Sequence, residues 1–272
     1  MIKFFRHIRQ NLLIEGKTSK YFKYAIGEIV LVVIGILIAL QINNWNEQRK
    51  AESTTFIYVE NLIEDIKKDT LMYADQINAA TLKYQYCKDI YNVIYEGQKT
   101  KDTAKFIISL QSAGRLIVPT TTDNTYQDLL NTGNLKLIKD KQSIEAIRDY
   151  YSNPLYWWYQ DYKDQLVNGY LPVVVDAIPM YIHEQILTNE IVDEYKDFTD
   201  NALLNNHLDH YSEEDFTQII NNLKTNADFR FQLKRITRSH LVQIKILGLS
   251  SKSANSLLKT LEKWKNENNK YN

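Results

Sequence analysis

The histidine-containing segment near position 210 is the part of this sequence that most resembles a metal site. His207 and His210 lie about one helical turn apart, and Glu213 follows three residues later. Imidazole nitrogens and carboxylate oxygens are ligands that zinc accepts. Two histidines in a polar segment also arise easily by chance. We therefore expect no resident metal or cofactor, and these three residues are the candidates to examine.

Motifs of enzyme chemistry do not occur in the chain. There is no G-x-S-x-G nucleophile elbow, phosphate-binding loop or dinucleotide fingerprint. Cys87 is the single cysteine, so an internal disulfide and a multi-cysteine metal cluster are excluded. The many acidic side chains alternate with apolar ones in the manner of solvated helix faces. The sequence therefore predicts no catalytic residue and a protein that is not an enzyme.

A run of tyrosines and tryptophans between positions 150 and 170 is the most distinctive candidate binding surface. On a helix that begins near Pro154, one stripe faces the core and consists of Leu155, Trp158, Tyr162 and Leu166. Trp157, with Tyr156 or Tyr159, then points away from this stripe. Exposed Trp and Tyr favour a surface for a partner, a glycan or a peptide. The alternative is a wide aromatic core covered by neighbouring helices.

The composition indicates the elements that must position these residues. The chain has 272 residues, 33 of them basic and 33 acidic, and 12% are aromatic. Zero net charge argues against a nucleic-acid binder, and the aromatic content argues against intrinsic disorder. Only 8 glycines and 4 prolines are present, which are few for the turns of a β-sandwich. We therefore expect a mostly helical protein.

Residues 24–42 have the length and composition of a membrane anchor. No polar side chain occurs from Ile29 to Leu40, and nineteen helical residues span about 28 Å, close to the thickness of the hydrocarbon core. Six basic residues and one acidic residue precede the span, which predicts a cytoplasmic stub, 1–23, and a periplasmic part, 43–272. A cleaved signal peptide is the competing explanation, but no small-residue cleavage pattern follows the span.

Three positions in the anchor suggest interactions inside the membrane. Glu28 lies about one turn inside the span, where an ionisable group is by default a functional hypothesis. The alternative is that its carboxylate reaches the headgroup region. Gly35 and Ala39 form a small-xxx-small pair, which would let two anchors approach closely.

A long helix is predicted over residues 43–96 after the anchor. Apolar positions there repeat at alternating three- and four-residue spacing, typical of a coiled-coil or bundle seam. The positions are Phe56, Val59, Ile63, Ile66, Thr70, Tyr73, Ile77, Ala80, Tyr84, Cys87, Tyr91 and Ile94. The seam either joins two copies, with Cys87 facing its symmetry mate, or packs against later helices of the same chain.

The stretch from Tyr21 to Lys50, YFKYAIGEIVLVVIGILIALQINNWNEQRK, resembles the opening of a bacterial family known as domain of unknown function 6090. A second stretch, TYQDLLNTGNLKLIKDKQSIEAIRDYY at 125–151, is also similar to the family's pattern. The resemblance implies a membrane-anchored protein of the Gram-negative inner membrane with a helical remainder. It implies no activity, cofactor or catalytic residue.

These observations predict an all-α protein with one N-terminal transmembrane helix that continues into a long helix, followed by an extracytoplasmic helical bundle over 102–272. The function that fits best is a non-enzymatic scaffold or a subunit of an envelope assembly. Its expected partners are the lipid bilayer and either another protein or a second copy. The alternatives are a periplasmic ligand sensor that signals through a partner and, third, an enzyme with an unrecognised site.

Overall fold

The computed structural model describes residues 18–116, 121–152, 155–191 and 208–269. His207 and most of the predicted cytoplasmic stub therefore lie outside the described residues. Helices, joined by turns, make up the described part of the chain, and no strand occurs there. The all-α prediction is confirmed.

The first helix, α1, runs from Thr18 to Tyr95 without interruption. The chain divides into two compact units, residues 1–57 and residues 58–270, and α1 contributes to both. In the first unit, large apolar side chains are exposed on every side of the helix, for example Ile29 (63%), Leu31 (61%) and Leu37 (58%). Among the described residues, this is the helix that is long and apolar enough to cross a membrane.

In the second unit, α1 buries two rows of side chains with a seven-residue repeat. One row agrees with the predicted seam and consists of Val59, Ile66, Tyr73, Ala80, Cys87 and Ile94. The other row consists of Leu62, Asp69, Gln76, Lys83 and Ile90. Of the row that the sequence predicts at this edge, Ile63 is buried and Ile77 packs against the core while partly exposed, whereas Thr70 and Tyr84 are only partly buried. The buried row from Leu62 to Ile90 lies one residue before the predicted row, which is about 100° around the helix. Its side chains therefore face elements that supply polar partners.

Glycine and aspartate mark the ends of the next helices. Helix α1 stops just before Gly97, whose φ of 69° is left-handed. The Asp102 side chain accepts a hydrogen bond from the Lys105 N–H (2.9 Å) and caps α2, Thr103–Ala113. Helix α3, Asn124–Asn131, is followed by Gly133 with a φ of 67°, as the sequence predicts. A short 3₁₀ turn, Asn134–Leu137, then leads to α4, Lys141–Tyr151.

The aromatic segment between positions 150 and 170 belongs to a helical stretch that continues past Pro172. Helix α5, Leu155–Asp164, passes through a π-helical turn, Gln165–Tyr170, directly into α6, Leu171–Ala177. Pro172 directly follows the π-helical turn, and an irregular turn of this kind accompanies proline in a continuous helix. The apolar run that begins at Pro172 is therefore helical, and α7, Met180–Ile191, follows it.

The described part of the C-terminal third, 208–269, forms two helices. Helix α8, Glu213–Thr225, begins with a capping box between Ser212 and Asp215. Helix α9, Phe229–Asn268, has 40 residues and lies antiparallel to the second-unit part of α1. At one end the Arg230 guanidinium donates to the Tyr91 hydroxyl (2.9 Å), and at the other Lys265 Nζ lies 2.6 Å from a Glu60 carboxylate oxygen.

Helix α9 contributes to both hydrophobic clusters of the second unit. The first cluster joins the early part of this unit to α3, α4 and the end of α9 through Val59, Ile66, Leu129, Ile147, Leu257 and Leu261. The second joins the end of α1 to α2, α5, α8 and the start of α9 through Cys87, Ile94, Leu110, Tyr162, Ile219 and Leu233. The α1–α9 pair therefore forms the spine on which the other helices pack.

Candidate functional site

Polar side chains lie buried along the α1–α9 spine. Helix α1 contributes Asp69 and Lys83, which are 1% and 0% exposed, and α9 contributes His240 and Gln243, which are 0% and 1% exposed. Burial of such groups is costly unless they are hydrogen-bonded. Their partners therefore decide whether they do chemistry or hold the fold together.

Asp69 is the centre of the first polar site. Its carboxylate accepts hydrogen bonds from the Thr122 N–H (2.8 Å) and the Tyr150 hydroxyl (2.6 Å). The Tyr150 oxygen also lies 3.3 Å from the hydroxyl oxygen of Tyr73. Burial, followed by the bond to Asp69, holds the pKa of Tyr150 far above its usual value, so this tyrosine stays a neutral donor. The site ties the segment before α3, and α4 itself, to α1.

Lys83 and His240 form the second polar site, at the C-terminal end of α2. Lys83 Nζ donates to the Arg115 carbonyl (2.9 Å), and His240 Nε2 lies 2.9 Å from the Ala113 carbonyl oxygen, which makes it the donor. His240 Nδ1 then accepts from the Tyr162 hydroxyl (3.2 Å). The last carbonyls of a helix have no partner within it and carry partial negative charge. Two side chains of the spine therefore cap α2.

His240 is held as a neutral imidazole. Burial and then the charge of Lys83 lower its pKa from 6.5 to about 3. The ring is closed off from solvent, and both of its nitrogens have protein partners. This arrangement positions α2 and leaves no exposed ring nitrogen for proton exchange with a substrate.

Cys87 lies inside the second hydrophobic cluster with no exposed surface. Burial raises the pKa of its thiol to about 12, while a hydrogen bond with Thr237 of α9 acts in the opposite direction. The seam around Cys87 therefore packs against a later helix of the same chain, which is the intrachain alternative of the sequence analysis. Two copies of the chain could contact each other through Cys87 only if the packing of α1 against α9 were disrupted.

The other self-association candidates lie on the first-unit part of α1. Gly35 has no atom within 4 Å of the position that a Cβ would take, and Ala39 is exposed. Glu28 is half-buried on the same helix. Close approach of anchors through Gly35 and Ala39, and a role for Glu28, stay predictions.

The candidate zinc ligands have structural partners in the described residues. The His210 backbone N–H donates to Gln185 Oε1 (3.0 Å), and its carbonyl accepts from Gln185 Nε2 (2.8 Å). Glu213 lies in the first turn of α8, where a negative charge favours the helix. Within the described part of the chain, no group of three His, Cys, Asp or Glu side chains could hold a metal ion.

The aromatic run needs one correction. Tyr159 is only 8% exposed and belongs to the second hydrophobic cluster together with Tyr162. The sequence places Tyr159 among residues that could face a partner, and that placement is wrong because Tyr159 lies three residues before Tyr162, on the same buried face of α5. The side chains of Tyr156 and Trp157 lie outside the described ones.

An open groove of about 360 Å³ runs between α1 and α9. The apolar part of its lining, called the floor below, consists of Cys87, Tyr84, Tyr91 and Leu241, and its cations are Lys88 on α1 and Lys234 and Arg238 on α9. No carboxylate is among the lining residues. The groove therefore combines apolar and aromatic surface with cations and no anion.

The cations of this cationic groove are held close together. Arg230, Lys234 and Arg238 repeat every four residues on one face of α9, and each such like-charge pair costs about 0.2–0.5 kcal/mol. Lys88 lies over the Tyr84 ring at 5.7 Å, and Lys234 lies over Tyr91 at 5.7 Å. These cation–π contacts offset part of that repulsion.

The groove differs from the neighbouring surface of α9 in its ion pairs. Arg235, on another face of α9, lies 3.9 Å from Asp161 and 3.8 Å from Asp164. Within the described part of the chain, no carboxylate lies within 4.0 Å of the charged nitrogens of Lys88, Lys234 or Arg238. Their four-residue spacing is visible in the sequence, but the groove also requires knowing that α9 docks beside Tyr84 and Tyr91.

Comparison with known proteins adds a family to this description. Residues 28–146 match the sequence profile of DUF6090, a family of unknown function. The predicted resemblance is confirmed over this range. No curated protein and no solved structure matches the chain.

The DUF6090 range does not contain a closed core of its own. It covers α1 from Glu28 onward, α2, α3 and the first half of α4. Its buried residues Val59 and Leu129 share a cluster with Leu257 and Leu261 of α9, outside the matched range. The part of the matched range from residue 58 onward and α9 therefore belong to one folded unit.

Proposed function

We propose that this protein is a single-pass, membrane-anchored scaffold, a non-enzymatic subunit of an assembly in the bacterial envelope. The observation that carries the proposal is the apolar surface of α1 from residue 25 to residue 42. Aliphatic side chains are exposed there all around the helix, for example Val30 (48%), Leu40 (54%) and Ile42 (60%). Such a continuous apolar surface is stable in hydrocarbon and not in water.

The charge pattern supports an orientation with the N-terminus in the cytoplasm. Six basic residues and one acidic residue precede the span, whereas residues 43–70 contain four basic and six acidic residues. Basic residues are retained on the cytoplasmic side of bacterial membranes. In this orientation the second unit lies in the periplasm, anchored to the inner membrane.

The buried polar sites support a scaffold over an enzyme. Asp69, Lys83 and His240 are closed off from solvent, and their hydrogen bonds reach backbone groups at Thr122, Arg115 and Ala113. A catalytic group must be within reach of its substrate. These groups instead hold helices in place, as expected of a rigid platform.

A periplasmic ligand sensor is the second candidate function, and the cationic groove is the place where it would bind an anionic ligand. A sensor of this form would pass its signal through a partner protein.

Co-purification tests the scaffold proposal. We expect the tagged full-length chain, extracted in a mild detergent, to carry a protein partner in stoichiometric amount, identified by mass spectrometry. The matched control keeps the second unit but replaces residues 1–42 with an unrelated anchor, and it should retain the partner. Recovery of the chain alone, as a monomer, from native membranes would contradict a scaffold.

A further inference from the structure

We infer that the cationic groove between α1 and α9 is the docking site for an acidic segment of a protein partner, one with an apolar side chain between carboxylates. The inference rests on the proposed scaffold function in one respect, namely that the ligand is a protein. It is carried by the groove residues themselves, Lys88, Lys234 and Arg238 together with a floor that includes Tyr84 and Tyr91.

Charge complementarity identifies the sign of the ligand. Three cations converge on one groove, and within the described residues they have no carboxylate at ion-pair distance. By contrast, Arg235 on the same helix lies beside two aspartates. Like charges held together without an internal counter-ion are what a site for an anionic ligand requires. Glu96 acts on Arg230 at the far end of the row, so Arg230 is not counted in the site.

The floor identifies the second feature of the ligand. Tyr84, Tyr91 and Leu241 offer ring and aliphatic surface in the same groove as the cations. An aromatic or aliphatic side chain placed there would be desolvated, while flanking carboxylates reach Lys88 on one wall and Lys234 or Arg238 on the other. Buried apolar anchors with charged neighbours are the usual form of a peptide-binding site.

The shape favours a protein segment over other anionic ligands. The groove extends from Tyr84 to Asn92 along α1, about 12 Å at 1.5 Å per residue, which matches three or four residues of extended chain. It is open along its length, whereas sites for small molecules enclose most of the ligand. A flat bilayer surface would reach the cations and leave the floor uncovered.

Fluorescence anisotropy with a synthetic probe tests this inference. The probe is a fluorescein-labelled peptide of sequence EEFEE, added to the full-length chain in a neutral detergent. We expect saturable binding that weakens as sodium chloride is raised, because the ion pairs are exposed. The peptides QQFQQ and EESEE, which lack the charges or the apolar side chain, should each bind at least tenfold more weakly.

Matched variants connect the binding to the groove. Replacement of Lys88, Lys234 and Arg238 by Gln should weaken probe binding at least tenfold. The control replaces three exposed lysines elsewhere, Lys136, Lys139 and Lys141, by Gln and should change binding less than twofold. A third variant, Lys88→Arg with Lys234→Arg, preserves the charge and should bind within threefold of the parent chain, which separates loss of charge from loss of fold.

Several results would overturn the inference. One is the absence of saturable binding to EEFEE, and another is an equal loss in both triple-glutamine variants, which would indicate non-specific charge attraction. Competition by inorganic phosphate or by short-chain phosphatidylglycerol, at concentrations where EESEE does not compete, would assign the groove to a phosphate or a lipid headgroup instead. None of these results bears on co-purification, so failure of the inference is distinguishable from failure of the scaffold proposal.

Discussion

Replacement of Tyr150 by Phe removes one hydroxyl from the best-defined buried contact of the second unit. That hydroxyl donates to the Asp69 carboxylate at 2.6 Å, and the two residues are 4% and 1% exposed. A hydrogen bond to a charged group contributes about 1.5–3 kcal/mol, and a buried acceptor that loses its donor adds a desolvation penalty. Asp69 keeps the Thr122 N–H, so we expect a loss of about 2–3 kcal/mol in the free energy of unfolding.

Urea unfolding of the full-length chain in detergent, followed by tryptophan fluorescence, measures this loss. In a thermal melt of the same chain, the expected fall in melting temperature is about 4–12 °C, at 2–4 °C per kcal/mol for a unit of this size. Tyr151→Phe is the matched control, because the Tyr151 hydroxyl donates to the Thr122 carbonyl at 3.2 Å in a partly exposed position, and it should cost about 0.5–1 kcal/mol. Equal effects of the two variants would refute the reasoning.

Two further predictions concern buried titratable groups. The folded chain keeps His240 neutral down to a pKa of about 3, while the unfolded chain protonates it near 6.5, so stability is lost as pH falls through this window. Between pH 7 and pH 5 the free energy of unfolding falls by about 2 kcal/mol. In urea titrations, His240→Gln should abolish this fall, whereas His210→Gln, at an exposed position, should leave it unchanged. Cys87, with a pKa of about 12, should react with a maleimide about a thousandfold more slowly in the folded chain than in urea. Fast labelling, or a disulfide dimer formed with copper–phenanthroline, would show instead that the seam opens.

Local signals allowed much of the fold to be predicted from the sequence. Gly97 and Gly133 end helical segments in the left-handed conformation. The apolar row from Val59 to Ile94 is buried as its seven-residue repeat predicts. Each of these features depends on neighbouring residues in the sequence, so no knowledge of tertiary packing is needed.

The second row of α1 could not be predicted in this way. Asp69 and Lys83 are polar, and periodicity assigns polar residues to the solvent side. They are buried because Tyr150 and the carbonyl of Arg115, distant in sequence, satisfy them. The cationic groove escaped prediction for the same reason, since its two walls come from helices more than a hundred residues apart.

The sequence predicts the fold better than it predicts which candidate site residues are accessible. His210 and Glu213 were candidates because of residue type and spacing, and the hydrogen bonds between His210 and Gln185 are made by the His210 backbone. Tyr159 was expected on the surface because one stripe of α5 was sufficient to fill the core, but the core covers a wider face of that helix. Residue type and spacing indicate what a side chain can do, whereas burial decides whether it is accessible.

The topology of the anchor tests the central proposal most directly. Alkaline phosphatase folds into an active enzyme only outside the cytoplasm, where its disulfides form. We expect activity when it is fused after Lys50 and inactivity when it is fused after Lys17, with a fluorescent-protein fusion at Lys17 as the cytoplasmic control. An inactive fusion after Lys50 would place the second unit in the cytoplasm and contradict a periplasmic scaffold.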